Sequence, residues 1–180
     1  MATNHRMRDN LKREVRQKGS ALVLAFGLSA VGAQEAPAAD QTAIGPEPTL
    51  WKTGVVDAVI SLRTCPETGI CGTLHWVNGD DRRAFDYFGD PDTKKTFRPT
   101  RENVLSLCDY TPRMQFNEVS PGHWKGTLHL RGRGMTVNMD AKFENENELK
   151  IVASKAIFSE RDTWTRVSSN DARYPRCTPQ

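Results

Sequence analysis

Residues 58–76 read AVISLRTCPETGICGTLHW. Before the central PETG, Ala58, Ile60 and Leu62 alternate with Val59, Ser61 and Arg63. After it, Leu74 and Trp76 alternate with Thr73, His75 and Val77. Successive strand residues point to opposite faces, so a period of two marks a strand with one face buried. Pro-Glu-Thr-Gly is turn chemistry. The stretch therefore predicts a β-hairpin, with Cys65 and Cys71 on its two arms. If Glu67 to Gly69 form the turn, the two cysteines face each other at a separation a disulfide tolerates. The spacing is not CxxC, which argues against a thioredoxin-like redox pair. A zinc site would want further ligands at short spacing, and only His75 is close. A staple across the turn is the favoured reading, and it depends on an oxidising compartment.

The first residues address that compartment. Arg6, Arg8, Lys12, Arg13, Arg16 and Lys18 crowd the start, and the uncharged run SALVLAFGLSAVGA follows from Ser20 to Ala33. Small residues at Val31 and Ala33 are spaced as a signal peptidase requires. This is the order of a secretory signal. The apolar part, Ala21 to Gly32, is 12 residues, against the ~20 a spanning helix needs. Residues 1–33 are read as a signal peptide, with Met7 as an alternative start. The short run disfavours a stable membrane span, and with no cysteine beside the cleavage site lipoprotein anchoring is disfavoured too.

The charge balance then changes sign. Residues 1–33 hold six of the 25 Lys and Arg and two of the 22 Asp and Glu, leaving 19 basic and 20 acidic residues. The basic character belongs largely to the leading segment, so composition gives no reason to invoke nucleic acid. All four cysteines, Cys65, Cys71, Cys108 and Cys177, lie beyond residue 33. An even number in an exported chain reads as disulfides, although four cysteines allow three connectivities.

Outward from the hairpin the same period recurs. Met135, Val137, Met139, Ala141 and Phe143 alternate with Thr136, Asn138, Asp140 and Lys142, and Leu149, Ile151 and Ala153 with Lys150, Val152 and Ser154. Turn signals fall at NGDD, at Ser120 to Gly122, at Arg131 to Gly134 and at Asn145 to Asn147. Helical periodicity is absent. The prediction is an all-β, closed or nearly closed small antiparallel barrel. Residues 34–49, rich in Ala, Pro, Gln and Thr, read as a flexible leader. Residues 50–168 are one domain of about 120 residues, and 169–180 are a polar tail. Cys177 in that tail suggests tethering to the body, most simply at Cys108. Asp80 to Glu102, charged and carrying Gly89, Pro91 and Pro99, reads as a surface excursion with one helical turn.

No nucleophile elbow, P-loop, dinucleotide fingerprint or HExxH motif occurs. No acid/base constellation can be assembled, so the chain reads as non-enzymatic, with no cofactor. Gly72-Thr73-Leu74-His75 recurs as Gly126-Thr127-Leu128-His129, which would set two histidines on one sheet face. Without a third ligand they read as polar surface and not as a metal site. Asp80, Asp81, Asp86, Asp90 and Asp92 do not match a calcium loop. Trp76, Met114, Phe116, Trp124, Met135, Met139 and Phe143 form a Met and aromatic stripe that either lines a ligand cavity or fills the barrel.

The order Trp51, Cys65, Cys71-Gly72-Thr73-Leu74-His75-Trp76, Gly89-Asp90-Pro91, Leu107-Cys108 and Thr163-Trp164-Thr165-Arg166 resembles an exported bacterial family known as domain of unknown function 2147, over roughly Leu50 to Val167. The resemblance implies a small barrel related in shape to lipocalins, and it brings no established activity. After its third cysteine the family has Gly-Gly, Asn-Pro-Glu-Asp-Gly and Tyr, where this chain has GHWKGTLHLRGRGMTVNMD. It also implies that Trp51, opening the first strand, meets Arg166 of the last, since closure of a meander pairs those strands.

The expected function is a periplasmic or secreted barrel that binds a small apolar ligand. The alternative is an envelope interaction or stress-related protein presenting residues 80–102 to a protein partner.

Overall fold

The structure, a computed structural model, describes residues 44–92 and 99–178. The expected signal peptide, and the expected leader up to residue 43, lie outside the described residues. Eight strands run β1 (Thr49–Lys52), β2 (Ala58–Cys65), β3 (Gly69–Val77), β4 (Met114–Ser120), β5 (His123–Leu130), β6 (Met135–Asn145), β7 (Glu148–Lys155) and β8 (Phe158–Val167). Between β3 and β4 lie the short helices α1 (Arg83–Phe88) and α2 (Arg101–Leu105), and a 3-10 turn at Arg131–Arg133 joins β5 to β6.

All strands belong to one antiparallel sheet in the order β3-β2-β1-β8-β7-β6-β5-β4. Each strand pairs with its neighbour in sequence, except that β1 and β8 pair with each other and the edges are β3 and β4. Leu50, Trp51 and Lys52 lie opposite Val167, Arg166 and Thr165. The sheet curls until its edges run side by side. The Phe116 N–H donates to the Thr68 carbonyl (2.8 Å), the Leu74 N–H to Tyr110 (2.9 Å), and the Asp109 N–H to Leu74 (3.0 Å). Between these bonds lies Pro112, which has no N–H to give. The barrel is thus nearly closed, with a seam bonded at its two ends.

The alternation read from the sequence fixes which side chains fill the interior. On β6, Val137, Met139, Ala141 and Phe143 are buried, while Thr136, Asn138 and Lys142 are exposed. Leu149 and Ile151 of β7 and Ile60 and Leu62 of β2 join them. Phe143 is wedged between Trp51 (ring centroids 5.5 Å) and Trp124 (5.6 Å). Such aromatic pairs add about 0.5–1.5 kcal/mol each beyond their area burial.

Both disulfides form as Cys65–Cys71 and Cys108–Cys177, with Cα separations of 5.8 and 5.6 Å. The first differs in register from the expectation. The turn is only Pro66 to Thr68, because Gly69 at φ +71° is already in the ladder opposite Cys65. Cys71 lies opposite Arg63, so the two cysteines are diagonal neighbours and not directly opposed.

Three other expectations are corrected. Trp76 does not share the inner face with Leu74. A bulge sets Val59 opposite Trp76 and Ile60 opposite Leu74, leaving His75 unmatched. The extra residue reverses the phase, so Val77 is buried and Trp76 turns outward onto Tyr174 of the tail (centroids 5.1 Å). The leader is not flexible up to Thr49: Ile44 is 3% exposed within the core, and the Gly45 carbonyl accepts from Thr64 N–H at 2.8 Å. The segment 80–102 is not merely a surface excursion. Its described part turns Ala84, Phe85 and Phe88 into the core, although Asp80, Arg82, Arg83, Asp90 and Glu102 remain exposed. Arg131 ties it down, its Nε donating to the Phe88 (3.0 Å) and Gly89 (3.2 Å) carbonyls.

Candidate functional site

Helix α1 lies at the end of the barrel where β2, β6 and β8 begin. Phe88 anchors it in the core, and Tyr87, one residue earlier, reaches β8. Beneath it is a cavity of about 80 Å³. Its walls are apolar: Met114 of β4, Leu128 and Leu130 of β5, Met139 of β6 and Ile151 of β7. A second void of about 30 Å³ continues deeper, against Phe116, Ala141 and Leu149. Met114, Leu128, Met139, Ile151 and Trp164 line both. Pockets that enclose drug-sized ligands span roughly 300–1,000 Å³, so this interior is largely filled by side chains. Methionine is the exception to its rigidity, being unbranched and adaptable.

The polar part of the site comes from β8. Strand alternation turns Glu160, Asp162 and Trp164 in phase, and all three line the larger cavity. The Tyr87 hydroxyl donates to Glu160 Oε1 (2.5 Å). The Arg133 guanidinium lies 4.2 Å from the Tyr87 ring centre and donates to Glu160 Oε2 (3.3 Å). Burial, and next the bond to Glu160, push the Tyr87 phenol up to about 12. Asp162 is held by neutral donors: the Gly54 N–H (3.0 Å) and Thr163 N–H (2.8 Å) on Oδ1, and the Trp164 indole N–H (2.7 Å) on Oδ2. The arrangement is an apolar hollow whose rim carries two carboxylates, one paired with an arginine and one not.

The sequence stripe divides here. Met114 and Met139 line the main cavity and Phe116 the deeper void. Trp124 and Phe143 are buried around Trp51, Met135 packs half-buried against the core, and Trp76 is outside. Trp51 and Arg166 meet as ladder partners, with the guanidinium carbon 5.1 Å from the indole centre.

No family model, curated protein or solved structure matches the chain.

Tyr87, Glu160 and Asp162 carry the site's polarity and were not singled out by sequence reasoning. The signal was present in the spacing. Glu160 and Asp162 share the phase of Trp164 and Arg166, placing carboxylates where an inner-face residue belongs.

The remaining candidates sit elsewhere. His129 Nδ1 bonds Thr136 Oγ1 on the neighbouring strand (3.2 Å). The His75 carbonyl accepts from Cys177 N–H (3.0 Å), and burial is the main cause lowering the His75 imidazole below its usual range. Asp81 is engaged by the Asp57 N–H (2.8 Å) and the Arg83 guanidinium (2.8 Å), and Asp80 by Arg101 (2.7 Å). No group of three or more His, Cys, Asp or Glu that could hold a metal occurs among the described residues. No described helix is long and apolar enough to cross a membrane.

Proposed function

We propose that this chain is an exported, non-enzymatic envelope protein, periplasmic or secreted, whose lipocalin-like barrel binds a small apolar or amphipathic ligand. The observation that carries the reading is the apolar cavity under α1, whose charged groups lie along β8. Apolar cavities of this kind hold water poorly and accept small apolar molecules instead. The two flexible methionines between the larger and smaller voids let the interior adapt to what enters. Two disulfides suit an oxidising compartment, and the charged start followed by a short apolar run suits export. Together with the Trp51–Arg166 contact, they are also what supports kinship with the exported family the sequence resembles.

The test is titration with n-hexanol, followed by tryptophan fluorescence and by the thermal midpoint. Trp164 lines the cavity and reports entry directly. Binding to the folded state alone stabilises it by about 2.7 kcal/mol at a hundredfold excess over Kd. The expected result is a saturable change in both signals, lost in Ala153→Leu, which puts extra methyl groups into the hollow. A response that is unsaturable, and the same in both proteins, overturns the reading.

A further inference from the structure

We infer that the ligand carries a cationic head, so that the barrel selects short-chain amines over alcohols and acids; this rests on the apolar-ligand reading above. The inner faces of β6 and β7 are apolar at Val137, Met139, Leu149 and Ile151. The closing strand β8 instead carries two carboxylates, Glu160 and Asp162, and both border the same apolar cavity.

Their neighbours decide the sign of the rim. Glu160 has one cation, Arg133, and shares its other oxygen with the neutral Tyr87 hydroxyl. Asp162 has three neutral N–H donors and no cationic partner among the described residues. The nearby Arg131 is turned away, onto the Tyr110 ring and the carbonyls that end α1. The cavity mouth therefore carries one net negative charge, beside a wall with almost no other polarity. An ammonium group on a short alkyl chain complements both parts. The chain occupies the Met114–Leu128–Met139 hollow, while the head lies over Asp162 and Glu160. A carboxylate head would meet like charge, and a hydroxyl would gain only a hydrogen bond.

The size of the hollow limits the chain. A dry cavity of about 150 Å³ accommodates benzene, and this one is about 80 Å³, extended by about 30 Å³ if the methionines shift. The hollow therefore takes the first few carbons of an unbranched chain, with the rest of the chain and its head at the mouth.

The experiment measures Kd for n-hexylammonium, n-hexanol and hexanoate at low ionic strength, in the wild-type protein and in Asp162→Asn and Glu160→Gln. The quantity read is the ratio of amine to alcohol affinity within each protein, so a change in overall stability cancels. We expect hexylammonium to bind about tenfold more tightly than hexanol, with the preference falling as salt screens the pair. Hexanoate should bind most weakly. Asp162→Asn, which keeps an acceptor for the Gly54 and Thr163 amides, should bring the ratio close to one. Equal affinities for amine and alcohol in the wild-type protein, or a ratio untouched by both variants, overturn the cationic head while leaving the apolar site standing. Absence of saturable binding by hexanol and hexylammonium alike overturns both readings.

Discussion

Arg166 and Trp51 are direct partners in the β1–β8 ladder, and the guanidinium lies over a tryptophan that is fully buried. A cation over an indole face is worth about 0.5–2 kcal/mol, more when desolvated. Lysine keeps the charge but loses the planar stack, so Arg166→Lys should lower the unfolding free energy by an amount in that range. Chemical denaturation of the two proteins measures it, and an unchanged midpoint removes any structural role for the contact. Tyr87 gives a pH-dependent counterpart. Its phenol is raised in the folded state to about 12 from an ordinary 10.0. The stabilisation linked to the neutral phenol is therefore complete below pH 10 and lost as pH rises towards 12. Wild-type denaturation midpoints should fall more steeply over that interval than those of Tyr87→Phe, and parallel curves would refute the assignment. The two residues differed in how plainly the sequence announced them. Trp51 and Arg166 sit at the ends of a meander that must close, whereas Tyr87 lies in a charged, irregular stretch whose partner is 73 positions away.

The regular alternation of β6 and β7 was legible in the sequence. In β4–β5, Pro121 and Gly122 (φ +72°) give the turn that the sequence indicates. β8 was legible only from Thr163 onward, because Ser159 to Asp162 breaks the apolar alternation with charge. Its turn was silent too, being Ala156-Ile157, with Ala156 at φ +52° and Ile157 91% exposed. Trp76 was misplaced because a bulge leaves no mark on composition while reversing every later side chain. The β2–β3 hairpin also gives a prediction. A Cβ on Gly69 would stand 2.0 Å from the Phe116 carbonyl oxygen, at a left-handed φ. Gly69→Ala must distort both the turn and the seam, and should cost more than about 1 kcal/mol. Gly45→Ala, where a Cβ meets nothing within 4 Å, should be close to neutral. Comparable losses in the two variants, by urea denaturation, would show that the seam does not constrain the hairpin.

At the scale of the molecule, the two disulfides do different work. Cys65–Cys71 closes a loop with a separation of 6 residues, and Cys108–Cys177 one of 69. Constraining the unfolded chain is worth about 2 kcal/mol for the short loop and about 4 kcal/mol for the long one. Replacing Cys108 and Cys177 together by serine should therefore lower stability more than replacing Cys65 and Cys71, and the reverse order would show that the tail is bound by other contacts. The architecture was readable as a whole because a meander uses local pairings. The cavity was not, since its walls come from six strands and a helix that the sequence does not list side by side. The β1–β8 ladder has one more consequence. With Leu50 opposite Val167, the first and last strands are neighbours in the middle of the sheet, so breaking the chain elsewhere and joining its ends leaves every ladder in place. A rearranged gene that keeps Ile44 and Cys177, joins residue 178 to residue 44 through a glycine-serine linker, and opens the chain at the Glu146-Asn147 turn should still fold into the same barrel.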